Sequence, residues 1–326
     1  VLLGRLCEWR KSEHCVIVKA SESRQKPWMT LLKAFSLNLL VAASFLAPSI
    51  VSAQEPPCAI DSPCELPGKD GGTYHLVFPE NWDGKQKLKP FVFFHGHNGS
   101  GKAVARNKNL ARTVAKAGYV LVAPDGPEFT FRGRTTRGWA ARLEGASPRG
   151  ARDDIAFVER VLEDISERIP TVSNSTVLSG FSSGGSMAWY VGCYSKRSYA
   201  AIAAVAGGLR RPLPVPYGQD ATGADLRKCP GGPRKMLHIH GFSDGQVPLE
   251  GRGIRSWHQG DVFEGLSVQR TTNQCGSKPA KIETKGNLWC RDWTRCETGV
   301  PIRFCLHAGG HGTPSGWLDE ALEWSK

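Results

Sequence analysis

Residue types able to do covalent chemistry gather in four short stretches of this chain. The first is Gly180-Phe181-Ser182-Ser183-Gly184, a G-x-S-x-G match with an apolar run (Val177, Leu178) before it and a helix-compatible run (Met187 to Val191) after it. A serine on a sharp strand-to-helix turn is strained and presented, and glycines on either side allow close approach of substrate and neighbouring chain. Ser182 is therefore the candidate nucleophile. As an alcohol it is a weak one and needs a base within hydrogen-bond reach. The other stretches are His95-Gly96-His97, Gly241-Phe242-Ser243-Asp244-Gly245 and Gly309-Gly310-His311-Gly312, and each follows a run readable as a strand. His311 is the expected base, with Asp244 fixing its tautomer and stabilising the imidazolium. The backbone N–H groups of Ser183 and His97 are the expected oxyanion donors; losing one such donor typically costs about 3–4 kcal/mol in the transition state.

Other residues compete for these roles. Glu250 or Asp261 could supply the acid in place of Asp244. His238 and His240 alternate within a strand, so one of them could be a core histidine, and His307 precedes the glycines in a strand-like run. Asp153 and Asp154 open a helix, where acids favour the dipole, so they read as structural. Gly96 to Ala103 nearly fits the phosphate loop G-x₄-G-K-[ST], but Ala103 has no hydroxyl to hold Mg²⁺.

Stepping outward, strands are expected at Tyr74 to Phe78, Phe91 to Phe94, Tyr119 to Ala123, Val177-Leu178, Ala200 to Ala206 and Lys235 to His240. Later strands are expected at Ile282 to Trp293 and Val300 to Leu306. Phe91-Val92-Phe93-Phe94 is a continuous apolar run, as burial on both faces requires. Helices are expected at Lys102 to Lys116, Asp153 to Ile169, from the serine turn to about Cys193, at Asp261 to Asn273, and at Ser315 to Trp324 with Ser315 as N-cap. The helix after Asp153 turns Ile155, Val158, Val161, Leu162 and Ile165 to one face. Pro127 to Arg152 lacks periodicity, carries Trp139 and six arginines (132, 134, 137, 142, 149, 152), and reads as a long loop. Arg210 to Pro233 reads as irregular. Strands alternating with helices argue an α/β fold: a mostly parallel central sheet with helices on both faces. The carboxyl ends of such strands share one edge, where ligands bind.

The chain has 326 residues and a formal charge of +12, with 40% hydrophobic residues, ten Trp and thirteen Phe. The basic residues are dispersed, without the stripe or module of a nucleic-acid binder. The first methionine is Met29, and residues 1–28 read as a start-site misassignment. Residues 29–53 read as a secretory signal peptide: Lys33, a mainly apolar run, then Val51-Ser52-Ala53 before Gln54. A cleaved segment leaves no stable membrane anchor and one domain over residues 54–326, still basic. Eight cysteines lie in that part, an even number that reads as disulfides in a secreted or periplasmic protein. Cys58–Cys64 is the easiest local pair. Cys290 and Cys305 could face each other across a hairpin near Glu297, which leaves Cys275–Cys296 and Cys193–Cys229. Spacing alone does not choose among the 105 connectivities. With no C-x₂-C pair and no matched histidine spacing, neither a metal nor another cofactor is expected.

In its motifs the chain resembles the polyhydroxybutyrate depolymerase/feruloyl esterase group of the α/β-hydrolase superfamily, which includes related acetylxylan esterases. The resemblance rests on Phe93-Phe94-His95-Gly96-His97-Asn98-Gly99, Asp153 to Val158, Leu178 to Ala188, His240 to Pro248, Asn273-Gln274-Cys275 and Ala308 to Gly312. It implies the α/β-hydrolase fold and the triad Ser182, Asp244 and His311. The chain departs from the group at His97, where cysteine is frequent, and at Gly312-Thr313, where a tryptophan-proline pair often follows the histidine. No separate polymer-binding segment is read here, which favours a smaller or soluble ester. The expected activity is serine ester hydrolysis through an acyl-enzyme, on feruloyl- or acetyl-polysaccharide or hydroxyalkanoate-type esters. His95, Trp139 and Phe181 are candidate pocket residues, and the arginines are either attractors of an anionic substrate or solvated and paired. A serine peptidase and a catalytically silent binding protein are the alternatives.

Overall fold

The computed structural model describes residues 58–131, 133–139, 151–209, 211–212, 227–254 and 257–326. The expected upstream segment and signal peptide (1–53), together with Arg132, Arg142 and Arg149, lie outside the described residues. The chain opens with β1 (Cys64–Leu66), β2 (Gly72–Val77) and β3 (Lys89–Phe94), then α1 (Gly101–Ala105), α2 (Lys108–Lys116) and β4 (Tyr119–Pro124). A hairpin of β5 (Glu128–Phe131) and β6 (Arg134–Arg137) precedes α3 (Asp154–Arg168), β7 (Val177–Phe181), α4 (Ser183–Tyr194) and β8 (Ala201–Val205). The short β9 (Arg211–Pro212), then β10 (Met236–Gly241), β11 (Arg252–Ile254), β12 (Trp257–Gln259) and α5 (Val262–Asn273) follow. The chain closes with β13 (Lys281–Lys285), β14 (Leu288–Trp293), β15 (Ile302–His307) and α6 (Trp317–Trp324).

Ten strands form one sheet in the order β1-β2-β4-β3-β7-β8-β10-β15-β14-β13. The six central strands from β4 to β15 run parallel, and the pairs at both edges are antiparallel. Strand periodicity splits each central strand between two cores. Val92 and Phe94 of β3 join α3, α4 and α5 on one side, while Phe91 and Phe93 meet α1, α2 and α6 on the other. Each such fully buried side chain contributes on the order of 1.5–3 kcal/mol. Among the described residues, no helix is long and apolar enough to cross a membrane.

Several expectations are corrected. The helix expected over Lys102 to Lys116 is two helices, because the Asn107 side chain accepts the Leu110 N–H and starts α2 afresh. The expected loop after Pro127 contains the β5–β6 hairpin. The run Ile282 to Trp293 is a hairpin with its turn at Gly286, whose φ is +59°. Gly316, not Ser315, is the N-cap of α6. On α3 it is Phe157 that is fully buried, and Ile155 is only half-buried.

The four disulfides are Cys58–Cys64, Cys193–Cys229, Cys275–Cys296 and Cys290–Cys305, as expected. Cys290 and Cys305 are directly opposed in the β14–β15 ladder. The start of the β10–β15 pair is held by buried Asn273. Its carboxamide accepts from the Arg234 N–H at 3.1 Å and donates to the Arg234 and Val300 carbonyls at 2.8 and 2.9 Å. On the far side of the sheet, Arg303 of β15 is bound by Asp292, Glu283 and Glu320, which fastens α6 to the last strands. Removing the Cys290–Cys305 bridge, which spans 15 residues, is expected to cost about 3 kcal/mol through loop entropy. Urea unfolding of the doubly alanine-substituted protein checks this; an unchanged midpoint would count against it.

Candidate active site

The serine turn is built by backbone packing. A Cβ on Gly184 would lie 1.9 Å from the Phe94 carbonyl oxygen, and one on Gly180 would lie 2.4 Å from the Gly184 oxygen. Only glycine fits at either place, so β7, the start of α4 and the end of β3 meet main chain to main chain. Between those glycines Ser182 takes φ 59° and ψ −122°, a strained conformation for a residue with a Cβ. Its N–H donates to the Val205 carbonyl of β8 at 2.9 Å, which anchors the turn to the neighbouring strand.

His311 and Asp244 arrive from the ends of adjacent strands β15 and β10. Their loops are joined by Phe242 N–H to the His307 carbonyl (2.8 Å) and Ser243 N–H to the Gly309 carbonyl (3.1 Å). His311 Nε2 lies 2.9 Å from Ser182 Oγ, and its Nδ1 lies 2.8 Å from Asp244 Oδ2. Nδ1 faces a carboxylate and must carry the ring proton, so Nε2 is free to accept from the serine hydroxyl. The other oxygen of Asp244 accepts the Gln246 and Val247 N–H groups at 2.9 and 2.8 Å. The Phe181 ring centre lies 4.9 Å from that of His311. The rival acids are elsewhere engaged or exposed: Asp261 caps α5 through the Phe263 and Glu264 N–H groups, and Glu250 faces solvent.

The loop after β3 passes beside Ser182, since a Cβ on Gly96 would lie 3.6 Å from the Ser182 Cβ. Asn98 N–H is taken by the Arg137 carbonyl of β6 at 2.7 Å. The N–H of His97 and that of Ser183, the first residue of α4, have no protein acceptor among the described residues. His95 is buried and frames the loop, and it also reaches the wall of the cavity that Phe93, Phe181 and Trp317 line. Its Nε2 accepts the Gly126 N–H at 2.9 Å, so its Nδ1–H donates to the Gly96 carbonyl at 2.7 Å. Burial lowers its pKa and keeps it neutral. Trp139 is likewise placed beneath the surface, 4% exposed, with its indole N–H on the His95 carbonyl at 2.8 Å. His95 and Phe181 thus line one cavity, and Trp139 is not in its wall.

The resemblance to a phosphate loop ends at the same place. The Gly101 N–H that would cradle phosphate donates to Asp125 Oδ1 at 2.8 Å, and Lys102 pairs with Asp61. Asp125 also holds Thr73, His75 and Arg137. The described arginines of that region are structural where they are buried. Arg137 is paired to Asp125 and Glu128, and Arg152 to Asp154, with Arg152 packed over Phe157.

The amides of Gln246 and Val247, which hold Asp244, and the contact between the buried His238 and His240 are not among the features expected from the sequence. The spacing Asp244-x-Gln246-Val247 was the available signal, because an aspartate commonly accepts N–H groups two and three residues on.

Among solved structures, an acetyl xylan esterase from Aspergillus awamori matches with a TM-score of 0.57 and 15% identity, over 81% of this chain and 98% of that one. An S-formylglutathione hydrolase from Agrobacterium tumefaciens matches with a TM-score of 0.54 and 14% identity, over 81% and 93%. Probable feruloyl esterase C of Aspergillus niger and feruloyl esterase C of Emericella nidulans are each 24% identical, over 88% of this chain and 94% of theirs. The chain is an esterase-type α/β-hydrolase. No family model matches it. In this hydrolase the sheet order, with antiparallel strands confined to the edges, places the serine, acid and histidine turns on one edge.

The Asp125 cluster supports the loop that carries His97, and its strength can be read through pH. Burial by itself raises the Asp125 pKa, but hydrogen bonds from His75, the Gly101 N–H and Thr73 outweigh it and hold the value at about 2, below the ordinary 3.8. A depressed folded-state pKa stabilises above the unfolded value and ceases to do so as pH falls through the folded one. The difference corresponds to about 2 kcal/mol. Asp125→Asn is expected to lower stability by about that amount near neutral pH, with the gap closing between about pH 4 and pH 2. Urea midpoints of both proteins across that range check it; a gap independent of pH would contradict it.

Proposed function

We propose that this hydrolase is an exported serine esterase in which Ser182, His311 and Asp244 form the catalytic triad and the N–H groups of Ser183 and His97 form the oxyanion hole. The observation that carries the reading is the continuous hydrogen-bonded chain from Ser182 Oγ through His311 to Asp244, beside two N–H groups without an acceptor among the described residues. His311 takes the Ser182 proton as Oγ adds to the ester carbonyl, and the oxyanion is stabilised by the two N–H groups. On collapse, the imidazolium gives that proton to the departing alcohol, leaving an acyl-Ser182. Water, activated by the same imidazole, then releases the acid and restores the serine.

The substrate class we infer is an aromatic or acetyl ester carried on a carbohydrate. The feruloyl esterase and acetyl xylan esterase relatives support it, and so do two cavities that meet at Gly312 and Thr313. One of about 670 Å³ is lined by Phe93, Phe181 and Trp317 and suits a flat acyl group. The other, about 830 Å³, runs between the His311 loop and the β13–β14 turn, with the indole of Trp289, 49% exposed, in its wall. An exposed indole is a stacking surface for a sugar, and the leaving alcohol departs on the histidine's side. Four disulfides support an oxidising destination.

Ser182→Ala is expected to lower turnover of p-nitrophenyl acetate by at least about 10⁴-fold with unchanged circular dichroism; retained activity would refute the nucleophile. Trp289→Ala is expected to raise KM for a feruloylated oligosaccharide several-fold and leave methyl ferulate unaffected. Equal effects on both substrates would remove the stacking role.

A further inference from the structure

The catalytic carboxylate has a second imidazole behind it. His240 lies in β10, fully enclosed, with Nε2 2.8 Å from the Val247 carbonyl oxygen and 3.3 Å from Asp244 Oδ2. His238, two residues earlier on the same strand face, places its Nε2 3.0 Å from His240 Nδ1. We propose that His240 is a positioning residue that acts through Asp244, and that His238 holds it in the tautomer this requires. The role rests on the triad assigned above.

The tautomers follow from the partners. A carbonyl and a carboxylate only accept, so His240 Nε2 carries a proton. A neutral ring then has a bare Nδ1, and the His238 Nε2 facing it must be the donor. His238 Nδ1 is left bare, and it has no partner among the described residues. The His238 ring centre lies 4.9 Å from that of Trp189 and 5.9 Å from that of Phe304. Charging His238 is opposed by burial and then by His240; at His240 burial, helped by His311 and His307, outweighs the Val247 carbonyl and Asp244, which favour the charge. His240 faces His238 on its own strand, Asp244 and His311 from the loops, and His307 from β15. At His238, α4 presents Trp189 and β8 presents Ala204, neither of which titrates. The direction of the chain is therefore fixed: His238 to His240 to the carbonyl of Val247, the residue whose N–H is bound by Asp244.

Four N–H groups thereby approach Asp244: those of Gln246 and Val247 on Oδ1, His311 Nδ1–H on Oδ2, and the His240 Nε2–H, whose own hydrogen bond goes to the Val247 carbonyl, 3.3 Å from that same Oδ2. The His240 contact is the longest and weakest of them. It nevertheless meets the same oxygen that binds His311, so it limits carboxylate rotation and draws charge away from that bond. With His240 gone, the less compensated carboxylate favours the His311 imidazolium, and the base becomes harder to deprotonate.

The test compares His240→Met, which loses the donor, with His240→Gln, whose amide N–H can reach the Nε2 position. In pH profiles of kcat/KM on p-nitrophenyl acetate, the acid limb of His240→Met should move up by about half a unit to one unit. Its kcat should fall about tenfold with KM within about twofold, and His240→Gln should recover most of both. A His240→Met profile that superimposes on the wild type would overturn the proposal, and so would a glutamine variant as impaired as the methionine one. If the variants do not fold, ¹⁵N imidazole spectra of the wild-type protein decide. Protons on Nε2 of both His238 and His240 support the proposal, and a proton on His240 Nδ1 overturns it. Loss of ester turnover in Ser182→Ala shows independently that the triad reading holds, so failure of the two ideas can be told apart.

Discussion

The active edge depends on the approach of two backbones at the serine turn. Because Gly184 sits against the Phe94 carbonyl and Gly180 against Gly184, β3, β7 and α4 come together with no side chain between them. That contact does three things. It imposes the positive φ on Ser182, it leaves the Ser183 N–H at the free end of a helix, and it brings the loop of Gly96 and His97 beside the serine. The strain is local and is held by the ladders on either side, β3–β7 and β7–β8, whose side chains are buried on both faces.

Several buried polar groups around that turn are tied together by hydrogen bonds. Asp125 gathers His75, Thr73, Gly101 and Arg137, and the neutral His95 connects Gly126 to the loop. On the other side Asn273 aligns the first residues of β10 and β15, and the hydrogen bonds after those strands align their last ones. Since Asp244 follows β10 and His311 follows β15, the spacing of these two side chains is set at both ends of one strand pair. The loops beyond it need only complete the short reach to Ser182.

Much of this could be read from the chain. Phe91 to Phe94 reads as a strand buried on both faces, and the four polar strand ends stand out because each follows an apolar run. The Cys290–Cys305 pair across a hairpin was legible as well, whereas spacing did not choose how Cys193, Cys229, Cys275 and Cys296 pair. Other features depend on contacts distant in sequence. The break at Asn107 is a side-chain cap inside a helical pattern, and in the β5–β6 hairpin the four-residue β5 is paired with an Arg-Thr-Thr-Arg strand that has no apolar residue. Trp139 looked like a pocket residue because a tryptophan in a polar stretch is conspicuous, yet its indole N–H is used by the carbonyl of His95. His238 and His240 alternate as any strand pair would; only the position of Asp244 against His240 distinguishes them from core filling.

The central claim is that ester cleavage passes through a covalent bond to Ser182. The most direct measurement is mass spectrometry of the oxidised protein, quenched in acid during turnover of methyl ferulate and digested. The account predicts a feruloyl mass increment on the peptide that contains Ser182, absent before substrate is added. Sustained turnover with that peptide unmodified, or with the increment on another residue, would contradict it.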